Sequence, residues 1–372
     1  MPNPFRTSKQ IRVGDIPIGG GAPVVIQSMT NTDTRDSAAT LAQIRELAAA
    51  GCEIVRVTVP DETAVRALPE ILAGSPIPVI ADIHFDYRLA LGSIRAGIHA
   101  IRLNPGNIGS ADRVKAVAEA AGEAGIPIRV GANSGSLPKG LLAARQAAGM
   151  THDEALAQAL VDAALEQVRL LEQYSFTHLK VSLKASSVPV TVKAYRRFTE
   201  CSDYPLHLGV TEAGTVFKGT IKSAVGIGSL LLDGIGDTIR VSLSAPPAEE
   251  IRAALAILEA AGLRKAEPEL VSCPTCGRTN WNLIAMAERV ERLIGEVKSS
   301  GRKIKLRKIA VMGCAVNGPG EAADADIGIA GGNVRGELLV FKHGKPFLCL
   351  PEEEAFSMLK QAILDSAESP GR

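Results

Sequence analysis

Residues 24–50 read VVIQSMTNTDTRDSAATLAQIRELAAA and contain a strand-like run followed by a helix-like run. Val24–Ser28 is short and rich in β-branched residues, and Ala38–Ala50 has apolar residues at helical spacing. The same pairing recurs along the chain. We predict strands at Val24–Ser28, Glu53–Val59, Pro78–Ile83, Ala100–Asn104, Pro127–Asn133, His178–Lys184, Leu206–Glu212 and Thr238–Ser244. Eight strands that alternate with helices over about 250 residues predict a (β/α)8 TIM barrel.

A doubly wound open sheet is the competing fold. That fold usually places a Gly-x-Gly-x-x-Gly loop directly after its first strand. The glycine run of this chain, Gly19–Gly21, comes before a strand, so we interpret it as a turn. Ahead of the barrel, Gln10–Val13 and Ile16–Ile18 flank Gly14-Asp15 and predict a short hairpin.

The alternating pattern changes near residue 265. We predict a helix at Asn282–Val297, strands at Ile304–Met312, Asp326–Ala330, Glu337–His343 and Phe347–Leu350, and a last helix that begins near Pro351. This mixed order is typical of a small α+β domain. The chain is therefore expected to have two domains, residues 1–264 and 265–372, with the boundary inside Ala261–Pro268.

Composition excludes some classes of function. The 41 basic and 40 acidic residues give a net charge of +1, so no overall field attracts nucleic acid or an anionic membrane. Residues 1–10 lack the apolar core of a secretory signal, and no apolar run approaches the roughly 18 residues that span a bilayer. Six scattered cysteines do not form a disulfide framework. We expect a cytoplasmic protein.

Two cysteine motifs in the second domain predict a metal site. Cys273-Pro-Thr-Cys276 has the C-x-x-C spacing, and Gly313-Cys-Ala-Val-Asn-Gly-Pro-Gly-Glu321 supplies Cys314. Thiolates suit zinc, Cu(I) and iron–sulfur clusters. The nearest candidate for a fourth ligand is Glu321, which follows a Gly-Pro-Gly segment that predicts a tight, unusual loop.

Two readings of this site remain open on ligand chemistry. The first is a structural zinc clip with Cys349 as its fourth ligand. The second is a [4Fe-4S] cluster held by three cysteines and the weaker oxygen ligand Glu321. Incomplete sulfur ligation leaves a position that substrate can occupy, so the second reading implies catalysis.

Four predicted barrel strands carry an arginine at a similar place: Arg56, Arg102, Arg129 and Arg240. Buried guanidinium groups require anions. Core carboxylates such as Asp82, Glu53 or Glu212 could supply them. However, Lys180 and Lys184 on one face of the sixth strand make the cations outnumber the strand-borne acids, and several arginine forks match the oxygens of a diphosphate.

Functional side chains of a TIM barrel lie at the carboxyl ends of its strands. The candidates at these ends are Asp82, His84, Asn104, Asn133, Lys184, Glu212 and Ser242. Glu212 is the candidate acid or base. Asn133 suits a phosphate contact, although an asparagine there could also satisfy its own turn. Whether Lys180 or Lys184 faces the ligand stays open, because both share one strand face.

The motifs together resemble the IspG or GcpE family of 4-hydroxy-3-methylbut-2-enyl diphosphate synthases. The resemblance rests on the two cysteine motifs and on four further segments, namely Gln27–Thr32, Ala81–Asp86, Asn104–Asn107 and Thr211–Gly214. It extends over nearly the whole chain.

The resemblance implies reduction and ring opening of 2-C-methyl-D-erythritol 2,4-cyclodiphosphate in the methylerythritol phosphate (MEP) pathway of isoprenoid biosynthesis. It implies a [4Fe-4S] cluster on Cys273, Cys276 and Cys314, with Glu321 as a ligand that yields to substrate and Glu212 as acid or base. The implied substrate-binding residues are Arg56, Asp82, His84, Arg102, Arg129, Asn133, Lys184, Arg240 and Ser242. Flavodoxin or ferredoxin would donate electrons, and a head-to-tail homodimer would share each active site between subunits.

Two alternatives belong to other classes. One is a zinc-stapled, phosphate-binding TIM-barrel transferase or lyase without redox chemistry, which the fold alone permits. The other is a non-enzymatic binding module, which the many polar residues at strand ends disfavour.

Overall fold

The computed structural model describes residues 7–138, 140–264 and 268–368. The chain divides into two compact units, Met1–Arg264 and Lys265–Arg372. In the first unit, β1 (Ile11–Val13) and β2 (Ile16–Ile18) pair antiparallel and confirm the predicted hairpin. None of the helices in the described part of the chain combines the length and apolar character that a membrane crossing requires.

The first unit is built on a parallel sheet of eight strands within the described residues. The strands are β3 (Val25–Met29), β4 (Ile54–Thr58), β5 (Val79–Asp82), β6 (Ala100–Arg102), β7 (Ile128–Asn133), β8 (Leu179–Lys184), β9 (His207–Leu208) and β10 (Thr238–Ile239). Their order is β8-β7-β6-β5-β4-β3-β10-β9. A parallel bridge between Val181 and Leu206 joins the two ends and closes the ring. The predicted TIM barrel is confirmed.

Helices cover the outside of the barrel. They are α1 (Ser37–Ala49), α2 (Glu62–Gly74), α3 (Tyr87–Arg95), α4 (Ala111–Glu123), α5 (Leu141–Ala147), α6 (His152–Glu172), α7 (Val188–Cys201), α8 (Val216–Leu232) and α9 (Pro247–Ala260). Aspartates begin several of them: Asp36 and Asp61 each accept a hydrogen bond from a backbone N–H of the first turn. Apolar residues between strands and helices form the main core.

The hairpin closes the amino-terminal end of the barrel. Ile11, Val13 and Ile18 are buried in one cluster with Val25 and Ile54, which begin barrel strands. Because this end is filled by apolar side chains, the polar residues of the strands are left to the opposite, carboxyl-terminal end.

The last two barrel strands are shorter than predicted. β9 ends at Leu208 and β10 at Ile239, although their apolar runs continue to Glu212 and Ser244. Regular strand pairing ends there, although the Thr211 N–H still donates to the Ala185 carbonyl at 3.3 Å, and Thr211, Arg240 and Ser242 line the pocket described below.

The second unit has its own mixed sheet. Its strands are β11 (Glu269–Ser272), β12 (Lys303–Ile304), β13 (Lys308–Met312), β14 (Ile327–Gly331), β15 (Glu337–Lys342), β16 (Lys345–Pro351) and β17 (Ala367–Glu368), and its helices are α10 (Leu283–Ser299), α11 (Gly318–Glu321) and α12 (Glu352–Asp365). The main sheet has the order β11-β13-β14-β15-β16. Residues of α10 and α12 pack with those of the central strands in one core.

The Gly-Pro-Gly segment differs from its prediction. It forms α11, a single helical turn, and the φ angles of Gly318 and Gly320 are not in the left-handed region. A Cβ atom on Gly318 would lie 2.7 Å from the Met312 Cβ and 3.1 Å from the Ala330 Cβ. Gly318 is therefore required for close packing on two strands, and not for an unusual backbone angle.

Candidate active site

A polar pocket of about 200 Å³ opens at the carboxyl ends of the barrel strands. It is lined by Arg56, Asp82, His84, Arg102, Arg129, Asn133, Ser182, Lys184, Thr211, Arg240 and Ser242. All nine of the barrel residues predicted to bind substrate are in this set. The strand geometry brings them together because parallel strands end on the same side of the barrel.

Asp82 is the carboxylate of the pocket lining, and it lies between two arginines. Its side chain is 5% exposed, with Oδ1 at 3.2 Å from Arg102 Nη1 and Oδ2 at 3.5 Å from Arg56 Nε. Burial alone would raise the pKa of Asp82, but the charges of Arg56, Arg102 and Arg129 outweigh burial and hold that pKa below its ordinary value. Asp82 is therefore ionised and fixes two guanidinium groups at the pocket wall.

Arg240 has a different acidic partner. Its Nη2 atom lies 3.6 Å from Oε2 of Glu250, a buried residue of α9 whose Oε1 also accepts a hydrogen bond from the Leu243 N–H at 3.0 Å. The sulfur of Met29 lies 2.9 Å from Arg56 Nη2. Glu250 and Met29 do not line the pocket themselves, but they help to position Arg240 and Arg56, which do.

Positive charge exceeds negative charge in this pocket. Arg129 is 4% exposed, and within the described residues its Nε and Nη1 atoms have no hydrogen-bond partner. Burial, followed by the charges of Arg56 and Arg102, lowers the pKa of Arg129 well below its ordinary value. A guanidinium nevertheless stays protonated in proteins. The crowded cations therefore favour binding of a multiply charged anion.

The structure separates the two lysines of β8. Lys184 lines the pocket, whereas Lys180, four residues earlier on the same strand face, is buried below it. A Cβ atom on Gly209 would lie 2.9 Å from Lys184 Nζ, so the glycine leaves the space that this side chain occupies. Burial and the nearby charges of Arg129 and Arg240 lower the pKa of Lys184 well below its ordinary value.

Asn133 ends β7 and reaches the pocket lining. Its side chain does not cap the turn that follows, so its amide is available to a ligand. The strand is held just before this residue by Gln167 of α6, whose side chain accepts from the Gly131 N–H at 3.0 Å and donates to the Gly131 carbonyl at 3.3 Å. Gln167 is a positioning residue that the sequence did not reveal.

Glu212 lies beside the pocket lining but is not part of it. Its neighbour Thr211 lines the pocket, while Glu212 is exposed in a turn with a φ of 52°. Left-handed backbone is uncommon for a residue with a side chain and is often found at functional sites. The acid or base role of Glu212 stays a prediction.

Sequence reasoning missed five residues of this region: Met29, Gln167, Ser182, Thr211 and Glu250. Ser182 lies between Lys180 and Lys184 on the strand, so strict alternation could have found it. Glu250 had no such signal, because it comes from a helix and reaches Arg240 only in the folded barrel.

The cysteine motifs meet at one end of the second sheet. β11 and β13 are parallel neighbours, with Ser272 opposite Val311, so Cys273 and the Gly313-Cys314 segment follow adjacent strand ends. The Gly313 N–H donates to Cys273 Sγ at 2.9 Å. Cys314 is half-buried, and Cys276 and Glu321 are exposed.

These four side chains do not form a finished ligand group. Within the described residues, no three His, Cys, Asp or Glu side chains come together as a group that could bind a metal ion. Clustered thiolates repel one another without a cation, so ligand convergence and metal binding are coupled. The donor set nevertheless fits an iron–sulfur cluster, since it offers sulfur ligands and a backbone N–H hydrogen bond to one of those sulfurs.

Cys349 lies elsewhere in the sheet. It is exposed on the edge strand β16, where its sulfur is 3.6 Å from the Glu337 carboxylate. β14 and β15 separate its strand from β13. Cys349 is therefore separated from the strands that carry the cysteine motifs, and the zinc reading that depended on it is not favoured.

Comparison with known proteins identifies two matching family models. The first is described as the GcpE TIM-barrel domain and matches residues 8–255. The second is described as the GcpE protein C-terminal domain and matches residues 269–365. Both units of the structure are thus covered by models of one family.

Relatives named 4-hydroxy-3-methylbut-2-en-1-yl diphosphate synthase (flavodoxin) match nearly the full chain. The relative from Geobacter sulfurreducens is 54% identical over 93% of this chain and 94% of its own. The relative from Salinispora tropica is 52% identical over 99% and 91% of the two chains. The relative from Ruminiclostridium cellulolyticum is 53% identical over 96% and 97%.

Proposed function

The chain belongs to the GcpE family, and from this premise we propose that it reduces 2-C-methyl-D-erythritol 2,4-cyclodiphosphate to 4-hydroxy-3-methylbut-2-enyl diphosphate in the MEP pathway. The substrate accepts two electrons and two protons, its ring opens, and one water molecule leaves. The observation that carries the proposal is the pocket in which Arg56, Arg102, Arg129, Lys184 and Arg240 converge.

These cations bind the diphosphate and stabilise the charge that ring opening creates. A cyclic diphosphate loses one of its bonds to carbon when the ring opens, so negative charge develops on the departing phosphate oxygen. Arginine forks fixed beforehand, as Asp82 fixes Arg56 and Arg102, stabilise such charge without reorganising. Asn133 and Ser242 would add neutral hydrogen bonds.

The second unit would hold a [4Fe-4S] cluster through Cys273, Cys276, Cys314 and Glu321. When bound, the cluster supplies the electrons for the reduction one at a time. Glu321, exposed on the single turn α11, would be the oxygen ligand of the cluster, a weaker ligand for its iron than a thiolate and the one that would yield to substrate. Glu212, exposed beside the pocket, would donate or accept the proton.

The names of the relatives include flavodoxin, and we propose that flavodoxin is also the electron donor of this chain. A ferredoxin is the other one-electron carrier of suitable chemistry. A cytoplasmic location is part of this proposal, because a reducing compartment preserves the thiols that such a cluster needs.

A homodimer completes the proposal. The outer face of α8 supports it, since Phe217, Ile221 and Val225 follow one another at helical spacing and are 76%, 48% and 57% exposed. Apolar surface of this kind is typical of an interface.

Phe217→Asp should lower the mass measured by light scattering to that of a monomer. Ala73→Asp, on the exposed face of α2, is the control that should leave the mass unchanged.

Metal analysis of protein purified without oxygen tests the cluster. We expect about four irons and four sulfides per chain and a broad brown absorbance. Cys276→Ser should lower the iron content, whereas Cys201→Ser, at an exposed cysteine outside the motifs, should leave it unchanged. One zinc and no sulfide would instead support a non-redox barrel.

Turnover tests the reaction itself. The anaerobic protein should convert the cyclodiphosphate to the linear diphosphate when reduced flavodoxin is added. Product formation without a reductant would contradict the proposed redox chemistry.

A further inference from the structure

Polar side chains occupy the barrel interior one layer below the pocket. The interior of a TIM barrel is usually filled by branched apolar residues. Here Lys180 is the register partner of Arg129 on the neighbouring parallel strand, so both side chains point inward. Gln27 and His207 also point into the barrel: Gln27 stands two residues before Met29, whose sulfur contacts Arg56, and the Val181–Leu206 bridge sets His207 beside Ser182, which lines the pocket.

These side chains are buried and incompletely hydrogen-bonded. Lys180 and Gln27 are each 2% exposed, and His207 is 0% exposed. In the part of the chain that the structure describes, Lys180 Nζ, both amide atoms of Gln27 and His207 Nε2 have no hydrogen-bond partner. A buried ammonium without an acceptor is costly, so the site does not favour a charged Lys180 when the pocket is empty.

The groups around Lys180 are mostly cations. Arg129 of β7 and Arg56 of β4 repel its charge, and His207 of β9 lies in the same region as a neutral ring, because burial and these cations lower its pKa well below the ordinary value. Lys184 lies above on the same strand. Burial, followed by Arg129, lowers the pKa of Lys180 to about 7, although Asp237 acts in the opposite direction.

Asp237 is the acid whose charge raises the pKa of Lys180, and both of its carboxylate oxygens already accept hydrogen bonds. Its Oδ1 accepts from Ser8 Oγ at 2.7 Å, and its Oδ2 accepts from the Leu206 N–H at 2.7 Å. Lys180 Nζ has no hydrogen-bond partner in the described residues and faces more cations than anions, so a further anion nearby would lower the cost of its charge. The pocket directly above is where such an anion binds in the proposed function.

We propose that Lys180 is a positioning residue that takes up a proton when the diphosphate enters the pocket, so that substrate binding and protonation of the barrel interior are coupled. This inference rests on the proposed function. The diphosphate neutralises Arg129 and its neighbours, which removes the repulsion on Lys180. The charged lysine then supports the anion from below, through Arg129.

The affinity for the cyclodiphosphate should depend on pH, because substrate binding is coupled to protonation of Lys180. Below its pKa in the free protein, Lys180 is already charged and binding takes up no proton. Between that pKa and the higher pKa of Lys180 in the complex, binding takes up a proton, so the affinity falls as pH rises, by at most about tenfold per pH unit for one proton; above the higher pKa the dependence ends. The two phosphates of the cyclic substrate have no second ionisation near neutral pH, so they do not add to this uptake.

Calorimetry on the full chain tests the coupling. The cyclodiphosphate is titrated at pH 8 in buffers of different ionisation enthalpy, into wild type, Lys180→Met and the exposed-lysine control Lys193→Met. Lys184 faces the pocket and can also take up a proton. The proton uptake that is lost in Lys180→Met, compared with wild type, is therefore the part due to Lys180. We expect uptake by wild type and by the control, a clearly smaller uptake by Lys180→Met, and a flatter pH profile of its Kd.

Equal proton uptake by Lys180→Met and wild type would overturn the inference. Absence of any binding to wild type would instead contradict the proposed function, so the two failures are distinct. If Lys180→Met does not fold, the 13Cε resonance of Lys180 in labelled wild-type protein gives the answer. That resonance should titrate near neutral pH in the free protein and at higher pH with substrate, and a titration above pH 10 without substrate would contradict the inference.

Discussion

Arg129 combines a binding role with a cost to folding. Its guanidinium is buried among other cations, and two of its nitrogens have no partner within the described residues. Such a group is destabilising until an anion arrives, and it then forms charge-assisted hydrogen bonds. Function and stability of the free protein should therefore respond in opposite directions when Arg129 is replaced.

We expect Arg129→Met to raise the KM for the cyclodiphosphate about 10- to 100-fold, which corresponds to the loss of a charged hydrogen bond of about 1.5–3 kcal/mol. The melting temperature of the free protein should stay the same or rise. Arg66→Met, on the exposed side of α2, is the control for loss of a positive charge. An unchanged KM would show that Arg129 does not contact the substrate.

Asp82 should have the opposite effect on stability. Asp82→Asn leaves Arg56 and Arg102 without their anion, and breaking a buried ion pair costs about 3–5 kcal/mol. The folded pKa of Asp82 is lowered, so its contribution is complete above the unfolded-state pKa and is lost as pH falls through the folded-state pKa. The difference from wild type should be constant between about pH 5 and 8 and should shrink below about pH 4.

Urea unfolding at several pH values measures this difference. Asp233→Asn, which breaks the exposed pair with Arg196, is the control and should cost less than about 1 kcal/mol. A difference that persists unchanged at pH 3 would mean that the charge of Asp82 is not what stabilises the barrel.

At the residue scale, the sequence predicted pocket residues whose side chains face inward on strands. Alternation and the position of strand ends sufficed for Arg56 and Lys184. They could not reveal Glu250 or Gln167, which reach their partners from helices, because those contacts depend on how helices pack on the sheet.

At the scale of elements, α11 shows why a glycine pattern is ambiguous. Glycine serves either an unusual φ or a close approach, and the sequence alone does not distinguish them. The segment around Pro319 was predicted as an irregular loop and is a helical turn packed tightly on β13 and β14. The strands β9 and β10 were likewise predicted too long, because apolar runs continue past the last backbone pairing.

Two neighbouring glycines of α11 allow a matched test. Gly318→Ala should destabilise the second unit by about 1–3 kcal/mol, because the new methyl group overlaps the packed Met312 side chain. Gly320→Ala should be close to neutral, since no atom lies within 4 Å of the added Cβ. Chemical unfolding followed by Trp281 fluorescence, which reports on the second unit, measures both variants. Equal stability of the two would contradict the packing explanation.

At the scale of the whole molecule, the pocket and the end of the first unit lie on opposite sides of the barrel. The pocket opens at the carboxyl ends of the strands. The first unit ends on the opposite side: Arg264 Nη2 donates to the Val24 carbonyl at 3.2 Å and to Glu53 Oε2 at 2.6 Å, and both acceptors precede barrel strands. The head-to-tail homodimer stays a proposal, in which the cluster unit of one copy would serve the pocket of the other.

Mixing two inactive chains tests this arrangement. Cys273→Ala keeps the barrel and loses the cluster, whereas Arg56→Ala keeps the cluster and loses diphosphate binding. In a heterodimer with shared sites, one of the two sites combines an intact barrel with an intact cluster, so each heterodimer should recover about half of the wild-type activity. Mixing Cys273→Ala with Cys314→Ala, both defective in the cluster, is the control and should recover none. If the first heterodimer forms and remains inactive, each cluster serves the barrel of its own chain.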